Sequence, residues 1–415
     1  MKRSTRAAAL GLVVTFSLVA AACGSDEKAA ESTTAPTEAP ATTEAPAETT
    51  APEETTAPEE TTAPEDTTAP DGEAVCPENI VVQTDWWPEL EHGGTYQLIG
   101  PNGTADKAKF IYTGDIDPKY AVGGIKTVEI RAGGDATSFT PNATLLETDD
   151  SITFAYINMS DVFADAARVP MVAVAKTLDL DPQMVMWDPA QFDIQKPEDI
   201  ATSGADVLYF DGVAYIDYMV TKGYMTDDQR NPNYSGSPSD WVAQGGNFIQ
   251  QGFSTNEVYQ YENEIAWKDG APAPVAFFTV GEMGFDNYPA AMVVRGDKVE
   301  GLSECLKLFV PMMQQAWVDF LADPKPINDA LIGINETYDT YWKLSDGLNT
   351  NGMALLEEKN IGANSPDGTY CSFDDARTST LFDIMVTVNE AKGVDSVAAP
   401  TDAYTNEFCA GAPGR

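Results

Sequence analysis

Apolar and polar positions divide the chain into three regimes. Residues 7–22 are apolar and uncharged, residues 26–73 contain no aromatic or large aliphatic side chain, and beyond residue 76 short apolar runs alternate with helical patterns. In that last regime residues 80–84 read as a first strand, followed by Asp85-Trp86-Trp87-Pro88 and a helix reaching Tyr96. Residues 128–131 alternate as a strand does and lead into Gly133-Gly134. Residues 152–156 form the next strand, 159–167 a helix, and 169–175 and 184–187 two further strand runs. Strands alternating with helices predict an α/β fold built on a mixed or parallel sheet.

A second unit follows. A short helix is expected at 196–199, a strand at 206–210, and a helix at 215–222 opened by Gly212. Residues 239–243 read as helical, 248–253 lead to Ser254-Thr255-Asn256-Glu257, and 275–280 read as a strand. Residues 290–294 restore the first unit's pattern. A long amphipathic helix is predicted over 302–321, kinked or broken at Pro311 because proline removes a helix hydrogen bond. Its Met312, Met313 and Trp317 stripe reads as core packing. Further helices are expected up to Val388. The expected boundaries are 74–187 for the first lobe, 188–280 for the second, and 281–415 for the return to the first.

The amino-terminal regimes carry a different message. Lys2, Arg3 and Arg6 precede the apolar run, and small residues at 19–22 precede Cys23, as in a secretory signal peptide. The run is too short for the ~20 residues that span a bilayer. Its end also resembles the lipobox of bacterial lipoproteins, which implies cleavage before a lipid-bearing Cys23 and anchoring on the extracytoplasmic face of the cell membrane. Residues 23–73 are then a tether. With nothing to bury, this Thr/Ala/Pro/Glu-rich stretch is expected to stay disordered. Its proline content favours extended chain at about 3.1 Å per residue, a reach on the order of 100 Å.

Composition narrows the possibilities further. The chain holds 65 acidic and 24 basic residues, with a formal net charge of -41. A nucleic-acid partner is disfavoured, since phosphate backbones require basic surfaces. Cys76, Cys305, Cys371 and Cys409 suggest two disulfides in an exported chain. Three connectivities exist. Because Cys76 opens the folded region and Cys409 nearly closes it, Cys76–Cys409 with Cys305–Cys371 is the expected pairing. A single histidine rules out a His-rich metal site. No metal and no cofactor is expected.

The chemistry concentrates between Asp85 and Tyr96, where the first strand hands over to a helix. In open α/β sheets this is where ligands bind. Flat aromatic walls with a few polar groups suit a heterocycle. The pattern Asp-Trp-Trp-Pro, three residues, His-Gly-Gly, one residue, Tyr resembles the periplasmic solute-binding proteins related to thiamine-pyrimidine synthases. Ser254 to Glu257 resembles that family's Asn-Glu segment, and 210–217 its glycine turn at a helix start. The resemblance implies a two-lobed periplasmic-binding-protein fold of type II serving an ABC importer. It implies stacking by Trp87 and Tyr96, with Trp86 the more core-like indole. It further implies a polar contact from His92, hydrogen bonds from Glu257 on the opposite lobe, Asn158 facing the cleft, and free N–H groups at Gly212 to Tyr215.

The expected partners are a small solute, a thiamine-precursor pyrimidine or flavin-like compound leading, and permease subunits, with the receptor acting as a monomer. Nitrate, sulfonate or another small acid is the alternative solute class. A transporter-independent surface receptor is a further alternative. An enzyme of the same superfamily would use the protein's own histidine and a cysteine-rich iron motif, and this chain has one histidine and no cysteine cluster. Hydrolase motifs of the Gly-x-Ser-x-Gly and His-Glu-x-x-His types are also missing from the sequence. The expectation is therefore a binding protein, not an enzyme.

Overall fold

The computed structural model describes residues 74–165, 168–394 and 399–415. The expected signal segment, Cys23 and tether lie outside the described residues. Twelve strands run through the rest. They are β1 (Asn79–Gln83), β2 (Thr104–Asp106), β3 (Ile111–Asp115), β4 (Thr127–Arg131), β5 (Phe154–Ile157) and β6 (Met171–Ala175). Next come β7 (Gln183–Trp187), β8 (Val207–Leu208), β9 (Arg230–Asn231), β10 (Ile249–Phe253), β11 (Ala276–Thr279) and β12 (Ala291–Arg295).

Seven strands form one mixed sheet in the order β2-β3-β4-β1-β5-β12-β6, and five form another in the order β11-β7-β10-β8-β9. In the first sheet β1 lies parallel to both β4 and β5, with Ile80 opposite Val128 and Val82 opposite Phe154. In the second, β7 runs antiparallel to β10 and β11. Residues 184–187, expected in the first lobe, therefore belong to the second sheet. Their run is apolar in either setting, so only the pairing reveals their place.

β1 is apolar without alternation because both its faces are covered. Ile80 and Val82 join one core, and Val81 joins another. The first core is capped by the helix Gly296–Ala322, whose Leu306, Phe309, Val310, Met313, Trp317 and Phe320 recur at helical spacing. Pro311 does not break it: the helix runs on through this buried proline. Helices Lys325–Tyr338, Asp346–Glu358 and Asp375–Lys392 follow.

The disulfides pair differently from the expectation. Cys76 bonds Cys305, and Cys371 bonds Cys409. Near the amino terminus, Cys76 N–H donates to Gly123 O (2.9 Å), and its sulfur reaches the long helix. The carboxy-terminal segment docks on β6, where Thr405 N–H donates to Ala173 O (3.0 Å) and Lys176 N–H donates to Cys371 O (3.0 Å). Tertiary docking decided the connectivity, not proximity to the ends of the chain.

Two crossovers join the sheets, from β6 to β7 and from β11 to β12. They are tied to each other. Thr177 Oγ1 donates to Ala290 O (2.9 Å), and Asn287 Nδ2 donates to Asp181 Oδ2 (3.1 Å).

Candidate functional site

The turn after β1 sets the site. Thr84 Oγ1 donates to Trp86 O (2.9 Å) and Arg131 O (3.0 Å), pinning the strand end. A Cβ on Gly133 would overlap the Thr84 and Asp85 backbone, so the Gly133-Gly134 pair is there to let this turn pass. Beyond it, two adjacent indoles part company.

Trp87 is only 1% exposed and packs among Phe110, Tyr338 and Tyr341. Trp86 is half-buried and meets Phe210 of the second-sheet lobe at a centroid distance of 5.3 Å. It also meets Phe139 at 6.3 Å and Trp342 at 5.7 Å. Its indole is held between glycines of both lobes: a Cβ on Gly236 would lie 2.6 Å from it, and one on Gly134 would overlap it. The expected roles are thus exchanged, with Trp86 at the crevice and Trp87 in the core.

Tyr96 is corrected likewise. It is buried against Tyr112 (5.6 Å) in the first core, and burial pushes its hydroxyl well above the usual range. Gly93 and Gly94 of the same motif accommodate Phe320 and Trp317 of the long helix. A side chain at either position would collide with those rings.

His92 is buried, with Nε2 2.7 Å from Asp85 Oδ1 and 3.8 Å from Glu89 Oε1. Glu89 and Glu91 are buried beside it. Burial drives the Glu89 carboxyl well above its usual range, and the charges of Glu91, Asp85 and Glu257 add to this. Burial also raises Glu91, against a hydrogen bond from Thr255. Glu257 opens the short helix after β10, where its Oε2 accepts from Phe253 N–H (2.7 Å) and its Oε1 from Tyr234 O–H (3.3 Å). Burial pushes this carboxyl up to about 7.

The two lobes meet along this line. Thr255 Oγ1 donates to Glu91 Oε1, and Ser345 Oγ donates to Glu264 Oε1. Tyr341 O–H donates to Ser235 O (3.3 Å). Trp86, His92 and Glu257 are therefore brought to one crevice. Tyr215 lies on its second-lobe side, donating to Gln251 Oε1 (3.2 Å), which also accepts from Phe210 N–H. Gly212 is an exposed turn residue at φ 87°, ahead of the helix Ala214–Lys222. Asn158 is committed to the scaffold: its Oδ1 accepts from Ala290 N–H (3.1 Å) in the second crossover, and its Nδ2 faces Asp161 (3.4 Å).

Sequence reasoning passed over Glu89, Glu91, Phe139, Phe210 and Trp342 as site residues. The two glutamates stood inside the motif and were legible as acids between a tryptophan pair and a histidine. Phe139 and Trp342 carry no local signal. Among the described residues no group of His, Cys, Asp and Glu is placed to hold a metal ion, and no helix is long and apolar enough to cross a membrane.

No protein-family model and no curated protein sequence matches the chain. Solved structures do. The ligand-binding component of an ABC-type import system from Staphylococcus aureus, with zinc bound, superposes with a TM-score of 0.50 at 12% identity over 81% of this chain and 99% of that one. The alkanesulfonate-binding protein SsuA from Xanthomonas axonopodis pv. citri, bound to MOPS, gives 0.51 at 11% identity over 79% and 99%. The aliphatic sulphonate binding protein SsuA from Escherichia coli gives 0.50 at 13% identity over 78% and 90%. These likenesses establish the fold. It is the two-lobed α/β architecture of type II periplasmic binding proteins.

Proposed function

We propose that the chain is an extracytoplasmic solute-binding lipoprotein of an ABC importer, anchored through Cys23. It captures a small flat solute between its lobes and delivers it to a permease. One observation carries this reading: Trp86 and Glu91 of one lobe and Phe210, Thr255 and Glu257 of the other converge on a single crevice between two sheets joined by two crossovers. A ligand touching both lobes only when they meet shifts the population toward closure, and a permease can recognise that closed form. The moving bodies are residues 183–280 against the remainder of the folded region.

The aromatic face of Trp86 and the carboxylates favour a nitrogen heterocycle of the aminopyrimidine or flavin type over nitrate or sulfonate, although the structures similar to it include sulfonate-binding proteins. The test is a melting screen of the full chain against thiamine, aminopyrimidine precursors, riboflavin, purines, sulfonates and nitrate. A solute at about 100 times its dissociation constant adds roughly 2.7 kcal/mol. The expected result is a shift with a heterocycle that disappears in Trp86→Ala. A shift with small acids alone would replace the solute class. The absence of any shift would favour the transporter-independent receptor.

A further inference from the structure

The crevice collects carboxylates from both lobes. Glu89 and Glu91 come from the turn after β1, and Glu257 comes from the segment after β10. Thr255, two residues before Glu257, donates to Glu91, and the charges of Glu91, Asp85 and Glu257 all raise Glu89. Among the described residues none of Glu89, Glu91 and Glu257 forms an ion pair with a lysine or arginine. His92 Nε2 lies 2.7 Å from Asp85 Oδ1 and 3.8 Å from Glu89 Oε1.

A second observation, independent of the charges, points to a ligand. Glu91 is 2% exposed, and while its Oε1 receives the Thr255 hydroxyl from the other lobe, its Oε2 has no partner. That oxygen therefore sits at the junction of the lobes as an unused acceptor. Beside Thr255, the buried Asn256 has neither amide oxygen nor amide nitrogen partnered. Such groups are costly to bury unless something pairs with them.

We propose that the solute of this crevice is a cation, a flat nitrogen base carrying a protonated amine or amidinium-like group, selected by Glu89, Glu91 and Glu257. The inference rests on the receptor reading above and names the charge of its solute. Closing the lobes brings like charges together away from water, and both effects oppose closure. A cation between them reverses the sign of the Coulomb energy, a neutral solute leaves it unchanged, and an anion worsens it. The half-buried indole of Trp86 and the ring of Phe210 add faces that attract a cation. The same carboxylates that penalise an empty closed crevice thus become its selectivity.

The test uses the full chain and probes of one shape and three charges: benzamidine, benzamide and benzoate, with thiamine and nitrate added. The melting temperature should rise with benzamidine and thiamine and not with benzamide, benzoate or nitrate. Glu89→Gln and Glu257→Gln should each weaken cation binding at least tenfold, whereas Glu198→Gln on the exposed surface should not. A shift by benzamide or benzoate equal to that by benzamidine overturns the charge assignment, as does cation binding untouched in both variants.

A solute-free arm uses hydrogen exchange of the Asp85–His92 and Ser254–Glu257 peptides. Neutralising Glu89 and Glu257 together should increase protection at both, since the repulsion that opens the crevice is gone. Unchanged protection in the double variant overturns the proposal. If no probe shifts the melting temperature and protection is also unchanged, the receptor reading falls with it; a neutral or anionic binder removes the charge assignment alone.

Discussion

The segment from Asp85 to Tyr96 has two sides, and they differ in almost everything except residue type. On one side Trp87, Gly93, Gly94 and Tyr96 are sealed against the long helix and its neighbours. On the other, Trp86, Glu89 and Glu91 face residues of the opposite lobe. Tryptophan appears on both sides, so residue identity does not assign the role. The direction of a non-periodic turn does. The widest separation between the two sides should come from their tryptophans. Trp87→Ala empties a core site and should destabilise by roughly 3–5 kcal/mol in denaturant unfolding. Trp86→Ala should cost less than half of that yet abolish the solute-induced melting shift. Equal losses of stability would erase the distinction.

The carboxylates sharpen the same contrast through pH. Glu257 titrates near 7 in the folded protein because burial disfavours its charged form. Its unfolded value lies near 4.3. The folded state therefore binds the proton more tightly. The stability from this group is fully present below the unfolded value and is lost as pH rises to about 7. A shift of this size corresponds to on the order of 3 kcal/mol. Without solute, melting temperature should fall from pH 4.5 to pH 7, and Glu257→Gln should flatten that slope. A profile unchanged in the variant would mean that Glu257 is not the group responsible. Glu89, raised by burial and by the charges around it, acts with the same sign.

The glycines distinguish the sides by geometry. Gly94→Ala drives a methyl into Trp317 and should cost about 1–3 kcal/mol by overpacking. Gly236→Ala, at φ 77° and 2.6 Å from the Trp86 indole, presses instead on the crevice wall. Its main effect should appear in solute affinity, read by titration, with a smaller change in melting temperature. If Gly94→Ala changed affinity and spared stability, the assignment of the two sides would be reversed.

Strands buried on both faces were legible because they are apolar throughout. β1, β5 and β12 lie close to where their runs predict. The hairpin of β2 and β3 was not, since its half-exposed residues Thr104 to Asp106 and Ile111 to Asp115 show no apolar run. The candidate site was half legible: the turn after β1 carries the tryptophan pair and the histidine, and the segment after β10 carries Glu257. Which indole faces out depends on Thr84, Arg131 and Gly133 fixing the turn, and Arg131 and Gly133 lie far away in sequence. Phe139, Phe210 and Trp342 reach the crevice from three separate segments, so no local pattern could unite them. The disulfides failed for the same reason: four cysteines permit three pairings, and only the docking of the carboxy-terminal segment on β6 selects one.

The smallest expected effect bears on how the two sides are coupled. Tyr341 packs its ring against Trp87 on the core side, at 6.5 Å, while its hydroxyl donates across the crevice to Ser235 O at 3.3 Å. It is therefore a residue through which the sealed region touches the opposite lobe. Tyr341→Phe keeps the ring and removes only the hydroxyl, so the core should lose almost nothing. The lost hydrogen bond is long and exposed, worth about 0.5–1 kcal/mol, and is assigned to the closed state alone. Solute affinity should then drop by roughly two- to fivefold while the unfolding midpoint without solute stays put. Dissociation should quicken and association change little, because the contact forms after encounter. An equal fall in stability would place the hydroxyl with the core, and an unchanged affinity would show that the lobes close without it.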